Sequence, residues 1–320
     1  MVDSLFISNS KSMKQYIKYL VLSLGITTFV VFVLGESVAR QCPNSYQYKN
    51  EYMKSNANEI KTLVYGGSRI YYSIKPDILG RGTFSLAQVS QPLAMDEWLF
   101  FKWKDDYDSL NTIIIEINNA NILGGNFEKG SEWYRGIYYT LYMDYKRETF
   151  YSKYNFEFAN MTGFRNKVQK GLAHLIVGYN HIECDSLGWG TSYQTRSEDD
   201  AFDLENSVNA AIGRHNKTDY SNLDRNKASL ERVAKYCKEN HIRMILISAP
   251  VTDEYYSKIN KDQIQMVEEV STYLIGKYNI EYKDYMSDEG FCGLDFYDAD
   301  HLSHQGSIKF SNILKNDFGL

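Results

Sequence analysis

The chain has 320 residues, 43% of them hydrophobic and 23% charged, with 35 basic against 40 acidic side chains. A formal charge of −5 lacks the basic surplus with which nucleic-acid-binding proteins neutralise phosphates, so that class of partner is set aside. With 27 Tyr, 16 Phe and only 4 Pro, the composition is that of a ring-rich folded chain and not a disordered one.

From Tyr16 to Gly35 the sequence runs YIKYLVLSLGITTFVVFVLG, with Lys18 as its one charge. At 1.5 Å per residue such a helix spans about 30 Å, the thickness of a bilayer core. Lys11, Lys14 and Lys18 flank the run on one side and Glu36 on the other, an asymmetry that puts the N-terminus in the cytoplasm. The expected organisation is a cytoplasmic tail over 1–14, a transmembrane signal-anchor over 15–35, a linker over 36–58 and an extracytoplasmic domain over 59–320, at the cell surface or in a periplasm. Ser37 and Ala39 also suit cleavage after Ala39, which exports the same domain, and a buried core helix is the third reading of the run. Cys42 lacks the small preceding residue of a lipid anchor. Cys184, Cys237 and Cys292 contain no CxxC pair, and His181-x-x-Cys184, with His174 nearby, is the nearest approach to ligand spacing, so no metal site is expected. A Cys184–Cys292 disulfide is permitted outside the cell.

The exported part alternates strands and helices. Short apolar runs at 62–65, 83–89, 112–117, 242–247 and 281–285 read as strands, and the β-branched run Thr112-Ile113-Ile114-Ile115-Glu116-Ile117 suggests a strand buried on both faces, as in a parallel sheet. A helix is expected from Pro92 to about Lys104. Leu230, Val233, Ala234 and Cys237 mark another, and a third runs from Asn260 to Tyr278 with Asn260 and Gln263 placed like a capping pair. A terminal helix carries Phe310, Ile313 and Leu314. The fold class is therefore α/β, a three-layer sandwich with a mainly parallel sheet, interrupted by an aromatic-rich insertion over about 124–220. Rings such as Trp133, Tyr138, Tyr139, Phe150, Tyr151, Tyr154, Phe158 and Trp189 suit stacking on sugars, while an amphipathic helix over 137–145 packing its rings on the sheet is the plainer use of most of them. The acidic run Glu198-Asp199-Asp200, with Asp203 and Glu205, reads as a solvated loop. Arg214-His215 suits an anionic substrate or a surface pair equally.

Sites in open α/β sheets form at the carboxyl ends of strands. Gly66-Gly67-Ser68-Arg69 follows the first strand, where glycines permit a sharp turn and a serine opening a helix presents both hydroxyl and N–H. Asp298-Ala299-Asp300-His301 precedes the last helix, and a spacing of three puts Asp298 and His301 on one face of a helical turn. A histidine so held serves as general base to a serine.

Together the two motifs, on an alternating α/β chain, resemble the SGNH (GDSL-like) hydrolase superfamily over residues 59–320. The resemblance is nearest to its membrane-anchored branch associated with cell-surface polysaccharide modification, which includes the D-alanyl transfer protein DltD. Ser85 to Gln91 stands where the second block of the family falls, and Asp300-His301-Leu302-Ser303-x-x-Gly306 ends the pattern. The resemblance implies a flavodoxin-like fold with Ser68 as nucleophile, His301 as its base and Asp298 as the orienting carboxylate. It further implies an oxyanion hole from the Ser68 N–H, a backbone N–H near Ser90 and the side chain of Asn118 or Asn119. Gly67 replaces the acidic residue of the GDS pattern, the second block lacks its glycine and the third lacks a clean GxND. The expected activity is that of an acyl esterase or O-acyltransferase without cofactor, acting on a cell-surface glycan or acyl donor. The alternative is a binding or assembly protein that kept the fold and lost catalysis.

Overall fold

The computed structural model describes residues 2–127, 132–146, 155–194 and 203–320, with side chains from residue 13 onward except that of Thr162. The chain divides into two compact units, residues 1–43 with 145–181, and residues 44–144 with 182–320. The span expected as one insertion is thus shared between them. Phe150, Tyr151, Tyr154 and Glu198 to Asp200 lie outside the described residues.

In the first unit α1 (Val2–Ala39) is a continuous helix whose stretch Met13–Ala39 is long and apolar enough to cross a membrane, a property that anchors and signal sequences share. Leu20, Leu24, Phe29 and Val31 along it are exposed, and burial of such side chains in hydrocarbon is what makes a span of this composition favourable. At its end, Glu36 accepts the backbone N–H groups of Glu157 and Phe158 and pairs with Arg40 at 2.8 Å. Phe32 meets Phe156 and Phe158 edge to face.

The second unit opens with α2 (Ser45–Asn56), where a linker is expected from sequence. Asn44 caps it, and Tyr46, Lys49, Asn50 and Met53 are buried; because two of these four are polar, the buried face leaves no apolar period to read. Next come β1 (Thr62–Tyr65), α3 (Ser68–Ser73), α4 (Pro76–Leu79), β2 (Thr83–Ser85), α5 (Leu93–Lys102) and β3 (Thr112–Glu116). The aromatic segment folds into α6 (Arg135–Met143), and α7 (Met161–Val177) belongs to the first unit. The remainder is α8 (Leu204–His215), α9 (Leu223–Glu239), β4 (Arg243–Ser248), α10 (Asp253–Lys258), α11 (Lys261–Tyr278), β5 (Glu281–Asp284) and α12 (His304–Phe318).

All five strands are parallel in the order β2-β1-β3-β4-β5, so the direction of progression reverses after β2. Right-handed crossovers then place the helices after β1 on one face and those before β3, β4 and β5 on the other, giving the three layers. On the first face Val64, Ile114, Ile245 and Ile247 pack with Ile70, Tyr72, Leu79, Phe310 and Leu314. On the opposite side Leu63, Ile113, Ile115, Met244 and Leu246 are buried, and Tyr65 meets Phe100 of α5. The β3 side chains are buried at every position, the burial that its unbroken apolar run predicts.

One local expectation is corrected. Asn260 does cap α11, accepting from the Asp262 N–H at 2.9 Å, but Gln263 does not complete a capping pair. Its amide is buried and holds the Asn119 and His215 carbonyls and the Lys217 N–H. The rings Tyr138 and Tyr139 are buried, Tyr139 donating to Gln91 at 2.5 Å, so they take the plainer of the two uses and serve the core.

Candidate active site

Gly66 ends β1 with φ +148°, and a Cβ there would come within 2.8 Å of Ile70 and 2.9 Å of Glu116, so only glycine makes this turn. The chain then enters α3 with Ser68 as its first residue, half-buried. Gly67 N–H is held by Glu116 Oε2 at 2.9 Å, so the carboxylate at this turn comes from the end of β3.

The second motif is a loop, not a helical turn. Asp298 Oδ1 accepts the N–H groups of Asp300 and His301 at 3.1 and 2.9 Å, so its carboxylate curls over the backbone in the manner of an Asx turn. The loop is pinned where Ser303 N–H donates to the Asp295 carbonyl at 2.8 Å and where Thr252 N–H and Oγ1 both donate to Ala299. A Cβ on Gly306 would lie 2.0 Å from that Asp295 oxygen, so glycine lets α12 start against this strap.

These elements bring the three predicted residues together. Ser68 Oγ lies 2.7 Å from His301 Nε2, and His301 Nδ1 lies 2.8 and 3.0 Å from the two oxygens of Asp298. Asp298 therefore fixes the tautomer in which Nδ1 carries the proton and Nε2 accepts from the serine. The imidazole is buried, edge-on to Tyr193 and Tyr72. Burial opposes its protonation, but the carboxylates of Asp300 and Asp298 outweigh burial and raise its pKa above that of an ordinary histidine.

The remaining predicted residues separate. Ser90 and Asn118 line the same cavity of about 680 Å³ as Ser68 and His301; Asn119 is fully buried behind it. Ser90 sits in the left-handed conformation, φ +58°, which glycine ordinarily supplies. Neither the Ser68 N–H nor the Ser90 N–H has a partner among the described residues. One N–H of the Asn118 amide donates to Glu116 at 2.5 Å while its oxygen accepts from Ala120 and Asn121. Asn119 instead accepts from Arg69 and donates to Tyr255. A larger groove of about 960 Å³ along α10 and α11 contains none of these residues.

Behind Ser68 lies a polar cluster that the motifs did not reveal. Arg69, buried, reaches Asp300 at 3.3 Å, Asn119 at 3.3 Å, His215 Nδ1 at 3.3 Å and Tyr255 at 2.5 Å. Burial opposes ionisation of Asp300, yet His301 and Arg69 hold its carboxyl well below the usual range, so a buried charge is matched by a buried charge. Only the adjacency of Arg69 to Ser68 and of Asp300 to His301 signalled this cluster. On the other side, buried Asp96 accepts from Gln91 at 2.5 Å, and burial pushes its carboxyl well above the usual range.

Among the described residues, Asp298, Asp300 and His301 form the one His/Cys/acid cluster with metal-ligand spacing, but each is already engaged with His301, Arg69 or Ser68. Cys184 and Cys292 form no disulfide, so the pairing permitted from sequence is not made.

No protein-family model and no curated protein matches the chain in sequence. Among solved structures, the chain is similar to a protein from Bacteroides fragilis described as an inferred acylhydrolase, with 12% identity and TM-score 0.38 over 84% of this chain and 94% of that one. It is also similar to a protein from Streptococcus pneumonia described as an inferred platelet activating factor, with 13% identity and TM-score 0.39 over 93% of this chain and 98% of that one.

Proposed function

We propose that the protein is a serine-dependent acyl esterase or O-acyltransferase whose nucleophile is Ser68. The observation that carries this reading is the alignment of Ser68 Oγ, His301 and Asp298 through contacts of 2.7 and 2.8 Å at the mouth of a cavity. Ser68 Oγ attacks an ester carbonyl while its proton passes to His301 Nε2, giving a tetrahedral oxyanion. The free N–H groups of Ser68 and Ser90 and the second N–H of Asn118 are the donors available to that oxygen. Collapse breaks the bond to the leaving alcohol, which takes the proton from His301, and leaves acyl-Ser68. Water or a sugar hydroxyl then gives its proton to His301, attacks the acyl carbon and restores the serine.

The apolar stretch of α1 supports a membrane anchor or signal sequence, and the lysines before it support an extracytoplasmic site. A cell-surface glycan is the substrate class in this reading. Tyr193 lines the cavity but is stacked between Tyr72 and Tyr297 at 3.8 and 4.2 Å, so both its faces are covered and it offers a sugar its edge and hydroxyl; Tyr138 and Tyr139 of α6 are buried in the core.

The test is labelling of the full-length protein in detergent by a fluorophosphonate probe, together with hydrolysis of an activated acetyl ester. Wild type is expected to label and turn over, and Ser68→Ala to do neither. Equal signals from both proteins would leave the binding or assembly role as the reading.

A further inference from the structure

His215 closes α8 in the wall of the catalytic cavity, and its hydrogen bonds leave it only one tautomer. The Tyr255 hydroxyl oxygen accepts from Arg69 Nη2 at 2.5 Å and from Asn119 Nδ2 at 3.2 Å, which fills its two acceptor positions. Its single hydrogen is left for His215 Nδ1 at 2.9 Å, and Arg69 Nη2 reaches the same nitrogen at 3.3 Å. A guanidinium has no lone pair to offer, so Nδ1 is a bare acceptor and the ring proton sits on Nε2. Burial, followed by the charge of Arg69, outweighs the opposing carboxylate of Asp300, 3.7 Å from Nδ1, and pushes the pKa of His215 down to about 3, so the ring stays neutral. Nε2 has no partner among the described residues and is not sealed from solvent. The wall therefore carries a neutral N–H donor whose orientation is set from behind.

The acids of the same wall are all engaged, whereas one of its cations is not. Asp300 is held by Arg69, Glu132 by Arg135, and Glu116 by Gly67 and Asn118. Arg214 also lines the cavity, is exposed, and its guanidinium has no partner among the described residues. The carbonyls that end α8 would repel an anion, but Lys217 Nζ already covers that of Arg214 and Gln263 that of His215.

We infer that Arg214 and His215 form a subsite for an anionic oxygen group, a carboxylate or a phosphate, carried by the molecule that Ser68 attacks. This deepens the proposed function and rests on it for the identity of the bound molecule as a substrate. The guanidinium supplies charge and the His215 Nε2–H supplies direction.

The experiment is nitrogen NMR of the full-length, 15N-histidine-labelled protein in micelles, with the His215 ring assigned by its loss in His215→Gln. The ring is expected to show the Nε2–H tautomer throughout pH 5 to 8. Titration with methyl glucuronoside, as the carboxylate source, or glycerol 3-phosphate, as the phosphate source, is expected to move its resonance saturably; methyl glucoside and glycerol are expected not to. Arg214→Gln, at an exposed position that folding does not need, is expected to weaken the response at least fivefold. A proton on Nδ1, no response to either anion, or an equal response to the neutral probes overturns the inference. Fluorophosphonate labelling is read separately: an anion response without Ser68 labelling removes the esterase reading and keeps the subsite, and the reverse pattern removes the subsite alone.

Discussion

Glu116 holds the Gly67 N–H at 2.9 Å, so the last residue of β3 fixes the turn that presents Ser68 at the end of β1. The same carboxylate takes the Asn118 amide at 2.5 Å and is almost wholly buried, and burial raises its pKa against the opposing pull of Arg69. Glu116→Ala strands a turn N–H and an amide without acceptors, a loss of about 3 kcal/mol for two such groups. We expect its denaturant midpoint to fall accordingly and fluorophosphonate labelling of Ser68 to slow, with Glu116→Gln, which keeps one acceptor, in between. An alanine variant as stable and as reactive as wild type would remove Glu116 from the site.

His301 must be neutral to accept the serine proton. Asp300 and Asp298 raise its pKa above the ordinary 6.5 in spite of burial, so the acid limb of kcat/KM should lie above pH 6.5. Asp298→Asn removes one of those charges and can turn an NH2 donor toward Nδ1, so the tautomer is no longer fixed. The limb should move to lower pH while kcat drops by about 10³- to 10⁴-fold. The pH profiles of both proteins on an activated ester check this, and a limb that stays in place on substitution contradicts the electrostatic account.

Ser90 supplies a backbone conformation that glycine adopts without strain. A non-glycine residue at φ +58° costs about 1 kcal/mol, and glycine gives back part of that gain through its freer unfolded chain. Ser90→Gly should therefore be between unchanged and about 1 kcal/mol more stable, with Ser68 labelling retained because the N–H at 90 remains. Ser90→Val, β-branched in the left-handed region, should lose stability and slow labelling together. Loss of labelling in the glycine variant would mean that the Ser90 side chain, and not its N–H, is what the site uses.

The legible parts of the site were those where chemistry is concentrated in a few neighbouring residues. Gly66, Gly67 and Ser68 follow an apolar strand directly, and Asp298 lies three residues from His301, so both ends of the serine–histidine pair were visible although 233 positions separate them. The cluster behind them was not, because Arg69, Asn119, His215 and Tyr255 come from four separate elements and no local spacing relates them. Helix α2 escaped for a different reason: Lys49 and Asn50 point inward, so polarity conceals its buried face. Gln263 shows the converse error, since its distance from Asn260 suits a cap while its amide is used by the more distant Asn119 and His215. Sequence periodicity reports apolar burial, and each miss is a case of polar burial.

Lys49 is the clearest of these polar burials. It has no exposed surface, donates to the Ala87 carbonyl and lies over the Tyr71 ring at 4.6 Å, and burial lowers its pKa from 10.5 to about 8. A depressed pKa means that the folded chain releases this proton more easily than the unfolded chain. Between pH 8 and 10.5 the unfolded state therefore binds more protons, and the contribution of Lys49 to stability rises with pH across that window. It is greatest above 10.5 and lost as pH falls through about 8. From pH 8 to pH 10 the gain is about 2 kcal/mol. The raised pKa values of the buried tyrosines act in the opposite sense at higher pH, so the comparison must be internal: wild type should gain about 2 kcal/mol relative to Lys49→Met between pH 8 and 10, whatever the offset between them at pH 7. Chemical unfolding at four or five pH values measures this difference, and two parallel stability curves would show that Lys49 keeps its ordinary pKa in the core.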